Sequence, residues 1–476
     1  MSEQVRASIE DVREPGWVGQ GTGHPWRWRI LAVVLVAEIL DLLDATVVTI
    51  AAPSIRADLG GAPSTMQWLT AGYTLTFGVL LVVGGRLGDR FGRRRLFLIG
   101  VSGFTVFSLA CALATSPGQL ITFRVLEAAF GALLLPQGMG IVKTVFPPSE
   151  TGKAFGLFGP VIGLSAVGGP ILAGSLIELD LWGTHWRMIF LINLPLGLAA
   201  LAGALRWMPR DRPRPGAVID LVSAALLGAA LLLVIYPLIQ GPERDWPAWT
   251  WLSLNAGALF AGLFALWERR SRNPLIAPEL LRLSGFRNGL LVLLGVFAGM
   301  AGLMLTLSLF TQSFLGYSAF RSGLTMAPMA LGMAIAAGLV SGLVATRPRL
   351  LLAVGTAVNV LGVVALALVI RWQGADLELL WLVGPMLVIG LGMGTGMGSL
   401  FDLVIADVPE AEAGGASGVM TAVQQLAGAV GVAGVTTLYL AQVQSQPVPE
   451  AMAVSLGAVA GVLVFTGVLI RLLPGR

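Results

Sequence analysis

Six ionisable residues stand inside stretches that are otherwise apolar: Glu38, Asp41 and Asp44 within 30–53, Arg124 and Glu127 within 119–142, and Asp402 within 379–403. At the centre of a bilayer each charge is disfavoured by about 2.5–3.5 kcal/mol, so five acids there imply use. On a helix, spacings of three put Glu38, Asp41 and Asp44 on one sector, neighbours about 60° apart, facing a cavity. Arg124 and Glu127 share a face and can pair. Crowded acids in a medium of low dielectric can exchange protons near neutral pH, and when ionised they favour a cation. That is the chemistry of a proton carrier or of a cation-binding cavity.

Other chemistries lack their parts. His24 and His185 are the only histidines, neither lies mid-run, and no nucleophile–base pair for an enzyme is visible. Cys111 stands alone in an apolar run, which excludes an intrachain disulfide and a cysteine zinc site. The glycines of 390–398 have Gly-x-Gly spacing but sit inside an apolar run, without the preceding strand of a phosphate loop. Lys143 and Lys153 are the only lysines, and Pro147 occupies the first glycine position of a phosphate loop ending at Lys153. No ATP motor and no cofactor are expected.

These residues must be positioned by helices. Of 476 residues, 56% are hydrophobic and 12% charged, and the mean hydropathy is +0.83. The apolar residues fall in blocks of about 20, long enough to span a membrane as helices. Barrel strands would alternate polar and apolar positions instead. Fourteen runs can be drawn: 30–53, 66–84, 96–115, 119–142, 154–177, 188–207, 218–239, 249–267, 288–312, 323–345, 350–370, 379–403, 416–440 and 452–473. The expected fold class is an all-α polytopic membrane protein. Pro117 and Pro348 mark turns between the least separated pairs. With both termini on the cytoplasmic side, the outer loops keep only Arg56, Arg187, Arg244, Arg321 and Arg371 of the 30 basic residues, and Arg124 is intramembrane. Such a bias supports the orientation and the even count. Because the charge lies on membrane loops, the net +4 does not argue for nucleic acid. The plan reads as a tail over 1–29, six runs over 30–207, linkers and two runs over 208–287, and six runs over 288–476.

Residues 85–95 read Gly-Arg-Leu-Gly-Asp-Arg-Phe-Gly-Arg-Arg-Arg. As composition alone this is a topogenic loop, with Gly85, Gly88 and Gly92 allowing a tight reversal. Its spacing also resembles the signature loop of the major facilitator superfamily, and every fixed position is met. The layout of six, two and six runs is similar to that superfamily's 14-span drug:proton antiporters. Leu43-Asp-Ala-Thr-Val-Val-Thr-Ile-Ala-Ala-Pro53 resembles their first-helix motif, with Thr49 in place of Asn. Trp186-Arg-Met-Ile-Phe-Leu-Ile-Asn-Leu-Pro-Leu-Gly197 resembles a further motif of theirs. Residues 156–174 resemble the antiporter motif through Gly159, Pro160, Gly163, Gly169, Pro170 and Gly174, with Ala173 where a glycine is usual. Ser341–Arg349 is a faint echo of 85–95, with Ala345 in place of the acid.

The resemblance covers nearly the whole chain. It implies two six-helix halves plus two central helices, alternating access, and multidrug export in exchange for protons across the cell membrane. A dedicated exporter of one antibiotic or metabolite is the alternative. It implies that Gly85, Asp89, Arg90, Gly92, Arg93 and Arg94 latch the cytoplasmic gate, and that Arg124 serves proton coupling. Asp44, Asp41, Glu38, Glu127 and Asp402 join it as acids. Met300, Met304, Phe310 and Phe401 are candidates for an adaptable apolar wall around the substrate, joined by Gln312, Gln425, Asp41 and Asp402. The expected partners are a small-molecule drug, protons and the lipid bilayer, with the chain acting as a monomer.

Overall fold

The computed structural model describes residues 23–210, 220–241, 244–271, 274, 278–340, 343–344, 346–409 and 413–473. The described residues are helical and contain no strand. In chain order the helices are α1 (Arg27–Leu59), α2 (Ser64–Phe91), α3 (Arg93–Ala112), α4 (Pro117–Gly131), α5 (Leu134–Val145), α6 (Pro148–Gly156), α7 (Phe158–Leu179), α8 (Met188–Leu191) and α9 (Asn193–Trp207). There follow α10 (Leu221–Gln240), α11 (Ala248–Arg270), α12 (Pro278–Arg282), α13 (Ser284–Leu309), α14 (Ala319–Leu324), α15 (Ala327–Val340), α16 (Pro348–Gln373), α17 (Leu379–Ile405), α18 (Ala413–Val443) and α19 (Val448–Leu469). They make fourteen long helical segments. Among the described residues, 11 are long and apolar enough to cross a membrane. The segment α1 is outside that set, with Glu38, Asp41 and Asp44 buried in its interior.

Prolines begin helices where the sequence placed turns. Pro117 opens α4, where the Ser116 side chain accepts from the backbone N–H of Gln119, and Pro348 opens α16. The stretch 85–95 departs from the expected loop. The helix α2 continues through Gly85 and Gly88 to Phe91, and Gly92 alone makes the reversal, at φ 96°. One left-handed residue suffices because only glycine enters that region without a Cβ penalty. Gly88 has a packing role instead: a Cβ there would run into the Gln137 side chain on α5.

The pair α10–α11 packs together, and α10 also lies against both α2 and α18. Pro237 lacks an N–H, so the carbonyl of Leu233 loses its helical donor. Ser253 of α11 supplies one at 2.8 Å, tying the pair. At the end of α10, the Leu238 carbonyl accepts from Thr437 of α18 at 2.7 Å, and Gln240 donates to Ser64 of α2 at 3.4 Å.

The same proline logic joins the N-terminal helices to the C-terminal ones. Pro53 in α1 leaves the Thr49 carbonyl free, and Ser308 of α13 donates to it at 2.9 Å. Gln312 donates to the next carbonyl, Ile50, at 2.9 Å. Gln312 lies in a widened turn over Phe310–Phe314, where Leu315 N–H reaches the Phe310 carbonyl five residues back. Gly174 packs against the backbone of Ala319 and Phe320, and Gly323 against that of Pro170, so α7 and α14 approach with no room for a Cβ.

Candidate functional site

Five helices bring polar side chains to one point inside the N-terminal set. Asp44 comes from α1, Tyr73 from α2, Ser108 and Cys111 from α3, Arg124 and Glu127 from α4, and Asn193 from α9. Asp44 and Glu127 are 0% exposed and Arg124 1%, so the group is dry. The Arg124 guanidinium is ion-paired with Asp44, and through the same Nη1 with Glu127 Oε2 at 2.8 Å. Asn193 Nδ2 donates to Asp44 Oδ1 at 3.1 Å and to Ser108 Oγ at 3.0 Å. Ser108 Oγ in turn donates to the Phe190 carbonyl at 3.1 Å. Cys111 Sγ donates to Glu127 Oε2 at 3.5 Å. Arg124 lies over the Tyr73 ring, its Cζ 4.1 Å from the centroid, and the Tyr73 hydroxyl donates to Asp41 Oδ1 at 2.8 Å. Removing one partner of such a buried pair leaves a charge stranded, typically at about 3–5 kcal/mol.

The expected pairing of Arg124 with Glu127 is present. Glu38, Asp41 and Asp44 all turn inward along α1, at 8%, 7% and 0% exposure. Their surroundings differ. Asp44 is held by Arg124 and Asn193, Asp41 by Tyr73, and Glu38 has no hydrogen bond among the described residues. The one polar sector is therefore a graded series, and Asp44 at its inner end packs among helices rather than facing a cavity.

Asp402 departs from expectation. It is exposed in the last turn of α17 and does not join the buried acids. At a helix end a carboxylate keeps its hydration, so the charge needs no partner. Phe310 is fully buried and stacked on Phe314, centroids 5.4 Å apart, and Met300 is 5% exposed in the same core. Met304 and Phe401 are half-buried beside apolar clusters. Gln425 lies against Gly78 of α2, where α2 meets α18.

Around the Gly92 turn, Arg94 donates to the Leu205 carbonyl at 2.9 Å, Arg86 to the Pro274 carbonyl, and Arg93 packs on Gly140. Arg90 is exposed beside the Phe91 ring, and Gly85 lies next to Pro136. The Asp89 side chain falls outside what is described, as do the tail before residue 23 and positions 341, 342 and 345 of the echo. Gly159, Pro160 and Gly163 are helical in α7, their surroundings likewise outside the description. Gly169 packs on Thr46 of α1.

Tyr73, Asn193 and Ser108 complete the site without having been singled out by sequence. A search for ionisable residues passes over neutral amides and hydroxyls. Asn193 had one signal: it is polar inside the apolar run 188–207, whose other polar side chain, Arg206, lies at the run's end, and it falls within the motif at 186–197.

A family model described as Major Facilitator Superfamily matches residues 34–432, most of the chain and all of this site. The chain belongs to the Major Facilitator Superfamily. It is a multi-pass membrane transporter and not an enzyme. A probable actinorhodin transporter of Streptomyces coelicolor is 48% identical over 440 residues, 91% of this chain and 76% of the relative. A puromycin resistance protein of Streptomyces alboniger is 37% identical, covering 94% of this chain and 91% of its own. A tetracenomycin C resistance and export protein of Streptomyces glaucescens is 34% identical, over 90% and 79%. Among solved structures, the POT family transporter PepTSo matches with a TM-score of 0.68 at 17% identity, over 93% of this chain and 97% of that one. At that identity the match speaks for the superfamily fold.

Proposed function

We propose that this transporter exports lipophilic small-molecule drugs, cations above all, in exchange for protons by alternating access. The observation that carries the reading is the dry group of Asp44, Arg124 and Glu127, extended through Tyr73 to Asp41. It sets two carboxylates against one guanidinium, so a single proton makes it neutral. Asp41 and Glu38, further along α1, are the acids placed to meet a substrate cation. A lipophilic cation would replace the departing proton's charge, whereas a neutral drug would compete with protons less directly.

On this reading the Gly92 turn, with Asp89 and the arginines, latches the cytoplasmic gate. The six-helix halves over 30–207 and 288–476 rock about the site, and the protein works as a monomer in the cell membrane with both termini inside. Met300, Met304, Phe310, Phe401, Gln312 and Gln425 are the proposed contacts from the second half, with Asp402 near the cytoplasmic end. A second reading, a dedicated exporter of one antibiotic, is favoured by the names of the relatives, each of which points to one compound.

The experiment is efflux of cationic and neutral dyes from energised vesicles. Export should stop when the pH gradient and the membrane potential are dissipated, and cations should lead. Efflux that persists in de-energised vesicles would sink proton coupling. Transport confined to one antibiotic would decide for the second reading.

A further inference from the structure

We infer that Tyr73 is the positioning residue that ties the proton on Asp41 to the Arg124 group and to the helix that meets the other half. Tyr73 is 1% exposed and makes two contacts of different kinds. Its hydroxyl donates to Asp41 Oδ1 at 2.8 Å, and its ring lies under the Arg124 guanidinium at 4.1 Å. Asp44 has a charged partner and an amide; Asp41 has only this phenol. Asp41 thus reaches the Arg124 group through Tyr73.

The ring also stacks on Phe77, centroids 6.0 Å apart. Both residues belong to α2, which five positions on, at Gly78, packs against Ala422 and Gln425 of α18. While Asp41 is a carboxylate it needs the hydroxyl as donor, which fixes the ring over Arg124. When Asp41 takes a proton from the water-accessible side, that demand disappears, and the hydroxyl can turn away. The proton stays on an Asp41 oxygen, and no other bond forms or breaks. Proton occupancy is then felt at α2, and through α2 at the other half.

The titratable and charged groups that face this pair are few. They are Glu38 and Asp44 on α1, Cys111 on α3, and Arg124 and Glu127 on α4, while α9 brings only the neutral Asn193 at this level. The inference rests on the export reading but can fail separately from it, because its test needs no substrate.

The test is infrared difference spectroscopy of the full chain in nanodiscs during a pH titration. The carboxyl band assigned to Asp41 is the one lost in Asp41→Asn. In Tyr73→Phe, which keeps the ring on Arg124, that band should titrate higher by on the order of one pH unit, since a donor to the ionised form is gone. In folded wild type, a tyrosine C–O band should shift with the same midpoint, and this shift should vanish in Asp41→Asn. An Asp41 midpoint unmoved by Tyr73→Phe overturns the inference. So does a tyrosine band blind to pH in the wild type, which is readable even if the variant does not fold. Loss of proton-coupled transport by the wild type in vesicles would instead strike the export reading.

Discussion

The N-terminal helices α1–α9 and the C-terminal helices α13–α19 of this transporter have opposite interiors. The first encloses Asp44, Arg124, Glu127 and Asn193 away from water, with Asp41 beside them at 7% exposure. In the second, no described buried residue is charged, and its buried polar groups are hydroxyls and Asn359. Its helices close instead on glycine. Gly355 meets Gly392 and Gly396, Gly362 meets Ile389, and Gly390 and Gly394 lie against the carbonyls of Met329 and Met333. Small residues at these crossings let α15, α16 and α17 pack backbone to backbone. The difference teaches a division of labour. On the proposed function, one set holds groups whose charge can change, and the other is a packed body joined to it at α2–α18 and α1–α13.

The largest effect that would break this division is at Arg124. Arg124→Met should strand Asp44 and Glu127, destabilise the first half by about 3–5 kcal/mol, and abolish proton-linked export. Thermal unfolding in detergent together with vesicle transport reads both. Wild-type stability in this variant would show that the charges are not held as a group. The counterpart in the second half is Gly390→Val. Its new Cβ would run into the Met329 carbonyl, and overpacking typically costs about 1–3 kcal/mol. The melting temperature should fall, while the pH profile of residual transport stays that of the wild type. A displaced profile would mean that the second half also sets the proton chemistry.

The smallest effect sharpens the comparison from outside the membrane. Trp186 and Arg187 donate to Asp58 at 2.9 and 2.7 Å and hold its carboxyl below the usual range. A carboxyl lowered in the folded state stabilises above its unfolded pKa, and the contribution is lost as pH falls through the folded value. Acidification below the ordinary carboxylate range should therefore loosen the tie between the end of α1 and the segment before α8. The effect is modest, because the pair is partly exposed to solvent. Asp58→Asn should remove this part of the acid sensitivity, read as melting temperature against pH. An unchanged acid limb would assign it elsewhere.

Much of this was legible in the sequence because bilayer burial has a coarse signature. Twenty-residue apolar blocks announce helices, prolines 117 and 348 announce their starts, and an intramembrane Arg124 announces a partner. Three things were less legible. Gly85, Gly88 and Gly92 look alike as letters, yet only Gly92 needs a left-handed backbone, Gly88 serves helix packing, and a Cβ at Gly85 would make only an ordinary contact with Pro136. Asp402 looks buried by its position in a run, but the run ends there and its charge stays hydrated. Tyr73 and Asn193 enter the site through helix crossings, a long-range property that local patterns do not carry. The carbonyls freed by Pro53 and Pro237 could be anticipated, but not that Ser308 and Ser253 would fill them.

The most direct test of the central claim is proton movement driven by substrate alone. Purified protein in vesicles of equal internal and external pH, clamped at zero potential, would be given a gradient of a lipophilic cation such as tetraphenylphosphonium, and separately of a relative's antibiotic such as puromycin. Proton flux opposite to the drug is expected for the wild type and none for Asp44→Asn. Drug movement at the wild-type rate with no proton flux would contradict it.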